Sequence, residues 1–347
     1  MHVPDGFINA PVSAVTGVVA AGAIAVSLRG ARRELDEKTA PLAGLVAAFI
    51  FAVQMLNFPV AAGTSGHLLG GALAAILVGP FTGVLCVSVV LLMQGILFAD
   101  GGLTALGVNI TDMAIVTTVV SYAVFRGLVK VLPRKKRSIT VAAFVSALLS
   151  VPAAALAFTL IYALGGTTDV PITKVATAMI GVHVLIGIGE ATITALTVGA
   201  VIAVRPDLVY GARGLQQRLK LRVGGDLVDA PAPAAVPVAA RISRRKVWAV
   251  GLVTSLVLAG FVSFYASASP DGLEKVAKDQ GIDQNTKKHH TEDSPLAGYG
   301  VKDISDARIS GGLAGVIGVG VTVVAGTGIF WAVRRRRTAD VSPSQVA

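Results

Sequence analysis

The chain has 347 residues, of which 54% are hydrophobic and 14% charged, and its mean hydropathy is +0.73. Soluble domains carry about 25% charged residues, so a soluble globular protein is excluded and a membrane protein indicated. The net charge of +10 sits in short basic runs between apolar segments, the pattern of cytoplasmic loops rather than of a nucleic-acid surface.

The chain opens Met1-His2-Val3-Pro4-Asp5-Gly6. A secretory leader would begin with a basic region and end at a small-residue cleavage site. Here an acid and two turn formers come first, and the first Lys or Arg is Arg29, beyond the first apolar run. The expectation is a free Met1 amine followed directly by an imidazole. The amine, the His2 amide nitrogen and the His2 Nδ1 can close two fused chelate rings around one ion. Such a planar nitrogen set suits Ni(II) or Cu(II), and Co(II) to a lesser degree. His67, in Gly-Thr-Ser-Gly-His-Leu-Leu-Gly-Gly, is the candidate fourth nitrogen; the alternative is a histidine satisfied by hydrogen bonds at the membrane interface.

A span needs about 20 apolar residues, fewer where protein covers it. Apolar runs predict spans near 8–28, 41–60, 67–79, 82–98, 104–131, 139–164 and 175–204, then 247–267 and 310–333. The third and fourth are short and divided by Gly79-Pro80. With the N-terminus outside, the basic clusters Arg29–Lys38, Arg134–Arg137, Arg205–Arg222, Arg241–Lys246 and Arg334–Arg337 all fall inside. The loops at 61–66, 99–103 and 165–173 are nearly free of Lys and Arg and fall outside. The fold class is therefore an all-α integral membrane protein: seven helices, then a two-helix C-terminal module, N-out and C-in.

The stretch 205–246 is rich in Ala, Pro and Val between basic ends and is expected to be a flexible cytoplasmic linker. It separates a domain at 1–204 from a module at 247–347. The external loop 268–309, with six Lys/Arg and eight Asp/Glu, is expected to be solvated. Gly311, Gly315, Gly318 and Gly320 form a close-packing helix face whose partner lies in this chain or another subunit.

Other polar residues are placed around the site. Asp100, Asn109 and Asp112 flank the start of the fifth span on the outer side and could orient the ligating imidazoles; for Asp100 the alternative is a turn. His183 and Glu190 lie seven residues apart on one face of the seventh span. They are read as a structural pair or as support for the site, ahead of a second metal site or a proton-linked pair. His289 and His290 are read as loop residues ahead of a weak metal trap. The single Cys86 excludes an intramolecular disulfide and a Cys-based metal site. No G-x-x-x-x-G-K-[ST], H-E-x-x-H or G-x-S-x-G occurs, so neither a P-loop ATPase nor a protease or esterase site is indicated. No nucleophile–base pair is visible, and an enzyme is not expected.

Three separated motifs carry a family resemblance. They are Met-His-Val-Pro-Asp-Gly-Phe at the start, Phe58-Pro59-Val60 through Gly63-Thr64-Ser65-Gly66-His67-Leu68-Leu69-Gly70-Gly71, and Gln94 through Phe98-Ala-Asp-Gly-Gly to Leu106-Gly107-Val108-Asn109. Over about residues 1–204 the chain resembles the cobalt/nickel substrate-capture component of energy-coupling-factor ABC transporters, the CbiM/NikM family. Pro270-Asp271-Gly272-Leu273-Glu274, continuing to Ser294-Pro295-Leu296-Ala297-Gly298-Tyr299-Gly300, resembles the PDGLE domain, the small two-span N component of these systems. The resemblance implies a fused capture protein whose N-terminus tucks inward. Met1 would supply the amine, His2 its amide and imidazole, and His67 the fourth nitrogen. Asp112 departs from the family pattern, where Asn is expected.

The function so implied is the substrate-specific membrane component of an ATP-driven importer for Ni(2+) or Co(2+). It has no cofactor of its own and depends on a transmembrane coupling protein and two cytoplasmic ATPases. It would sit in a prokaryotic cell membrane and bind its ion more weakly in acid, where the ligands hold protons. The alternative is a stand-alone secondary metal transporter or channel, against which stand the few intramembrane charges and the lack of a visible inverted repeat. Nickel or cobalt, and with it cobalamin synthesis or a nickel enzyme as destination, is left open.

Overall fold

The structure is a computed structural model that describes residues 1–35, 39–61, 63–216, 220–223, 226–229 and 243–339. Its helices are α1 (Ala10–Glu34), α2 (Thr39–Gln54), α3 (Gly71–Val78), α4 (Pro80–Leu97), α5 (Leu106–Asn109), α6 (Thr117–Val131), α7 (Lys136–Gly165), α8 (Ile172–Val204), α9 (Arg244–Gly260), α10 (Gly272–Gln280) and α11 (Ala307–Ala339). A π-helical stretch, Ile110–Val116, joins α5 to α6. Two small antiparallel pairs complete it: β1 (Phe58–Pro59) with β2 (Ser65–Gly66), and β3 (Lys220–Val223) with β4 (Asp226–Asp229).

The protein is a multi-pass helical membrane protein. Among the described residues, seven helical segments are long and apolar enough to cross a membrane. α2 has 16 residues and α3 only 8, so α3 is about 12 Å long at 1.5 Å per residue. The predicted 67–79 span is thus not one helix: residues 67–70 are non-helical and only 71–78 are wound. Non-helical backbone is tolerated at membrane depth where protein buries it. Here Leu68, Leu69 and every residue of α3 are buried, and the Glu190 carboxylate accepts from the backbone N–H of Leu69 (2.5 Å) and Gly70 (3.0 Å). The predicted second span likewise ends early, at Gln54, because Phe58-Pro59 turns into β1.

α3 and α4 meet at Gly79-Pro80. Gly79 has φ +104°, a conformation that favours glycine, and Pro80 starts α4, where its missing N–H costs nothing. Glu34, at the end of α1, receives the Phe81 and Thr82 N–H groups and the Thr82 hydroxyl. This end of the bundle is closed by the turns Pro206–Leu208 and Tyr210–Gln216, where Leu208, Val209 and Ala212 are buried. The start of the expected flexible linker is therefore docked. Its Ala/Pro stretch, 230–242, lies outside the described residues.

The glycine face of α11 packs within this chain. A Cβ at Gly315 would stand 2.3 Å from the Ala259 carbonyl oxygen of α9, and one at Gly318 would stand 2.2 Å from the Phe51 ring of α2. Gly320 has no such neighbour.

At the opposite end, the N-terminal segment is inserted between helices: Met1, Val3, Phe7 and Ile8 are buried. Asn9 caps α1 by accepting from the Val12 N–H, and its own N–H donates to the Gly165 carbonyl. The loop at 268–309, expected to be solvated, lies over this end instead. It buries Leu273, Val276, Ala277 and Ile282. Tyr299 stacks on Phe98 with ring centroids 5.0 Å apart. Ser294 and Thr291 donate to the Leu97 and Gly95 carbonyls. The physical reason is visible in α10: Leu273, Val276 and Ala277 fall at i, i+3 and i+4, one apolar stripe on a charged helix.

Candidate metal centre

The N-terminal segment is held by its backbone. Val3 N–H donates to Asn109 Oδ1 (2.7 Å), Asn109 Nδ2 donates to the Val3 carbonyl (3.2 Å), and Gly102 N–H donates to the same carbonyl (2.9 Å). Asp5 Oδ1 accepts from Thr104 N–H and hydroxyl. Asn109 thus clamps the chain beside the site rather than bonding an imidazole.

Both imidazoles have one nitrogen committed and the other turned inward. His67 Nδ1 donates to the Leu68 carbonyl (3.0 Å), which leaves Nε2 as acceptor, and the Met1 amine donates to it at 2.6 Å. His2 Nε2 donates to Gln94 Oε1 (3.1 Å), leaving the Nδ1 lone pair free. Such outer partners fix the tautomer a metal needs. The two rings stack with centroids 5.1 Å apart. Asp100 Oδ1 lies 3.4 Å from His2 Nδ1, and its Oδ2 accepts from the Tyr299 hydroxyl at 2.6 Å. Burial drives the His2 imidazole down to about 4, against the upward pull of Asp100, so His2 is a neutral donor at neutral pH.

A carboxylate joins this cluster. Asp271 Oδ2 accepts from the Met1 amine at 2.7 Å and lies 3.5 Å from His67 Nε2. His2, His67 and Asp271 each place a ligand atom within 4.8 Å of the others. Burial acts to raise the Asp271 carboxyl, but the amine charge and the His67 contact outweigh it and hold it well below the usual carboxylate range. The cluster opens on a cavity of about 690 Å³ whose lining includes His2, His67, Asp100, Asp271 and His289.

Among the described residues, the remaining candidates stand around this cluster or apart from it, and none adds a ligand atom to it. Asp112 is buried in the π-helical stretch and, among the described residues, bonds neither imidazole. Glu190 spends both oxygens on the backbone before α3. His183 Nδ1 donates to the Met179 carbonyl (2.7 Å), and its ring faces Gly272, where a Cβ would lie 3.4 Å from Nε2. His289 is tied down through both nitrogens, to the Gly101 carbonyl and the Thr291 N–H; His290 is exposed. Gln94 and Asp271 are the site neighbours that sequence reasoning passed over as such. Their signals were a lone amide inside an apolar helix and the acid of the Pro-Asp-Gly-Leu-Glu motif.

That motif now has a physical reading. Asp271 caps α10 through Oδ1 while Glu274 returns the bond, a full capping box. Gly272 lies against α8, where a Cβ would stand 2.7 Å from Ile186 Cδ1. Gly272→Ala is expected to unseat α10 at a cost of about 1–3 kcal/mol. Limited proteolysis should then cleave at Lys275 and Lys278 faster than in the unsubstituted chain; equal rates would show that the close approach is not needed.

These features define a class: a multi-pass helical membrane protein with transition-metal ligand types gathered at one end of its bundle. Residues 2–208 match the family described as the cobalt uptake substrate-specific transmembrane region, and residues 245–335 match the PDGLE domain. The chain belongs to that cobalt-uptake family, with a PDGLE domain fused behind it. It is 30% identical over 308 residues to a cobalt transport protein, CbiM, of Geobacter sulfurreducens, covering 85% of this chain and 83% of that one. It is 43% identical over 125 residues to the fused nickel transport protein NikMN of Rhodobacter capsulatus, covering 36% of each chain. Among solved structures, a truncated transition metal transporter aligns with a TM-score of 0.52 at 28% identity, covering 58% of this chain and 99% of that one.

Proposed function

We propose that the chain is the substrate-capture component of an ATP-driven importer of divalent cobalt or nickel. In this reading the spans number nine, with the N-terminus outside. The Met1 amine, the His2 amide and Nδ1, and His67 Nε2 form a square around the ion. The observation that carries it is the 2.6 Å approach of the Met1 amine to His67 Nε2. Metal–nitrogen bonds of about 2 Å at right angles place adjacent nitrogens about 2.8 Å apart. In the amine–amide–imidazole chelate the fourth ligand must be adjacent to the amine, and His67 already stands there. The His2 amide would give up its proton on binding, as would the amine.

The relatives named for cobalt and for nickel support the choice of cargo, and the ligand set accepts both ions. The sequence carries no P-loop, so the energy for transport would come from separate ATPases docked through a coupling protein. The two-span PDGLE module would act at the outer face through its loop.

His2→Ala and His67→Ala are each expected to weaken Co(II) and Ni(II) binding more than about a hundredfold, beyond the loss typical of an outer partner. Metal content of the purified, untagged chain checks this; an ion retained in either variant removes that ligand from the set. Uptake into cells should stop on ATP depletion. Uptake that persisted without partner proteins would instead establish a stand-alone transporter.

A further inference from the structure

We propose that Asp271, in the external loop of the PDGLE module, is itself a metal contact in the capture site, giving the ion an oxygen donor off the plane of the four nitrogens. The proposal rests on the square just described and adds a ligand from the other half of the chain.

Three observations converge on it. The first is distance. An axial oxygen about 2.1 Å from an ion whose planar nitrogens lie about 2 Å away stands about 2.9 Å from each of them. Asp271 Oδ2 is 2.7 Å from the Met1 nitrogen and 3.5 Å from His67 Nε2, which brackets that value. A second in-plane ligand opposite His67 would stand about 4 Å from it.

The second is division of labour within the carboxylate. Oδ1 is used up in capping α10, where it accepts from Glu274 N–H at 2.8 Å. Oδ2 turns the other way, toward the amine and His67, so the motif places one oxygen in the fold and one in the site.

The third is registration. Ser65, two residues before His67, donates its N–H to the Pro270 carbonyl (2.8 Å) and its hydroxyl to the Ser269 carbonyl (2.8 Å). A single backbone junction therefore sets the position of both His67 and Asp271. A loop that served only to cover the site would need no such link between two ligand-bearing residues. The Met1 ammonium meets the same oxygen and is its cationic partner here. Ion arrival exchanges one cation for another on Oδ2.

The test uses the full chain with an untagged N-terminus, loaded with Co(II), whose visible absorption bands report coordination number. Asp271→Ser retains an N-cap oxygen but offers none to the site. Asp271→Asn retains the side-chain shape and replaces Oδ2 with a nitrogen that does not bind metal. Both are expected to hold one cobalt per chain with shifted bands and roughly tenfold weaker binding, while His67→Ala holds none. Bands and affinity unchanged in both Asp271 variants, with cobalt lost in His67→Ala, would overturn the axial contact and leave the nitrogen square standing. Cobalt retained in His67→Ala would overturn the square, and the axial contact with it.

Discussion

One extra residue ahead of Met1 is expected to abolish high-affinity metal binding. The extension turns the amine into an amide, which binds a metal only after losing its N–H proton, so the corner that a free amine supplies at neutral pH is lost. Space is lacking as well. The Met1 side chain is buried beneath the PDGLE loop, Val3 is fully buried, and Asn109 holds the Val3 backbone from both sides. The added residue would displace Met1 rather than extend past it. The ion pair to Asp271 also disappears, and breaking such a covered pair costs about 3 kcal/mol because the remaining charge is stranded. Burial pushes the Asp271 carboxyl up, and the amine charge, the largest of the opposing contributions, together with the His67 contact holds it below its ordinary value. A depressed carboxyl contributes stability above its unfolded value and loses it as pH falls through the folded one, so the extended chain should lose this contribution at neutral pH. Elemental analysis and metal titration of native and extended chains decide the matter. One ion per chain at native affinity in the extended form would remove the amine from the ligand set.

The helices could be read from the sequence because the bilayer asks for one thing, an apolar run long enough to cross. The gathering of the Met1 amine, His2 and His67 was legible for a similar reason. Adjacency in sequence already places the amine, amide and imidazole within one ion's reach, and His67 was the histidine in a glycine-rich turn on the same face. Asp271 was hidden, although its motif was plain. Nothing in a loop of eight acids and six bases distinguishes the acid that folds back on the amine from the seven that meet water. The apolar stripe Leu273, Val276 and Ala277 was the available sign that this loop packs. The broken third span was hidden for a different reason. His67-Leu68-Leu69-Gly70 is apolar enough to read as helix, and what unwinds it is a carboxylate far along the chain.

That carboxylate carries the second large effect. Glu190→Ala is expected to destabilise the bundle by about 3–5 kcal/mol and to weaken metal binding about ten- to a hundredfold. A helix N-terminus leaves four N–H groups without intrahelical partners and favours an anion there. α3 is too short to reach water with its start, and Leu69, Gly70 and Gly71 are all buried. Removing the carboxylate strands two buried N–H groups at about 1–3 kcal/mol each and leaves a void. Residues 67–70 would then be free to wind up or shift, carrying His67 Nε2 away from the Met1 amine, the kind of displacement that costs an outer metal partner its tenfold or more. Glu190→Gln should be intermediate, since its amide oxygen still accepts from one N–H while its NH2 group opposes the other. Thermal unfolding in detergent and cobalt titration of the two variants measure both effects. A Glu190→Ala chain with unchanged stability but one fewer bound ion would make Glu190 a metal ligand, contrary to the two backbone bonds that occupy its oxygens here.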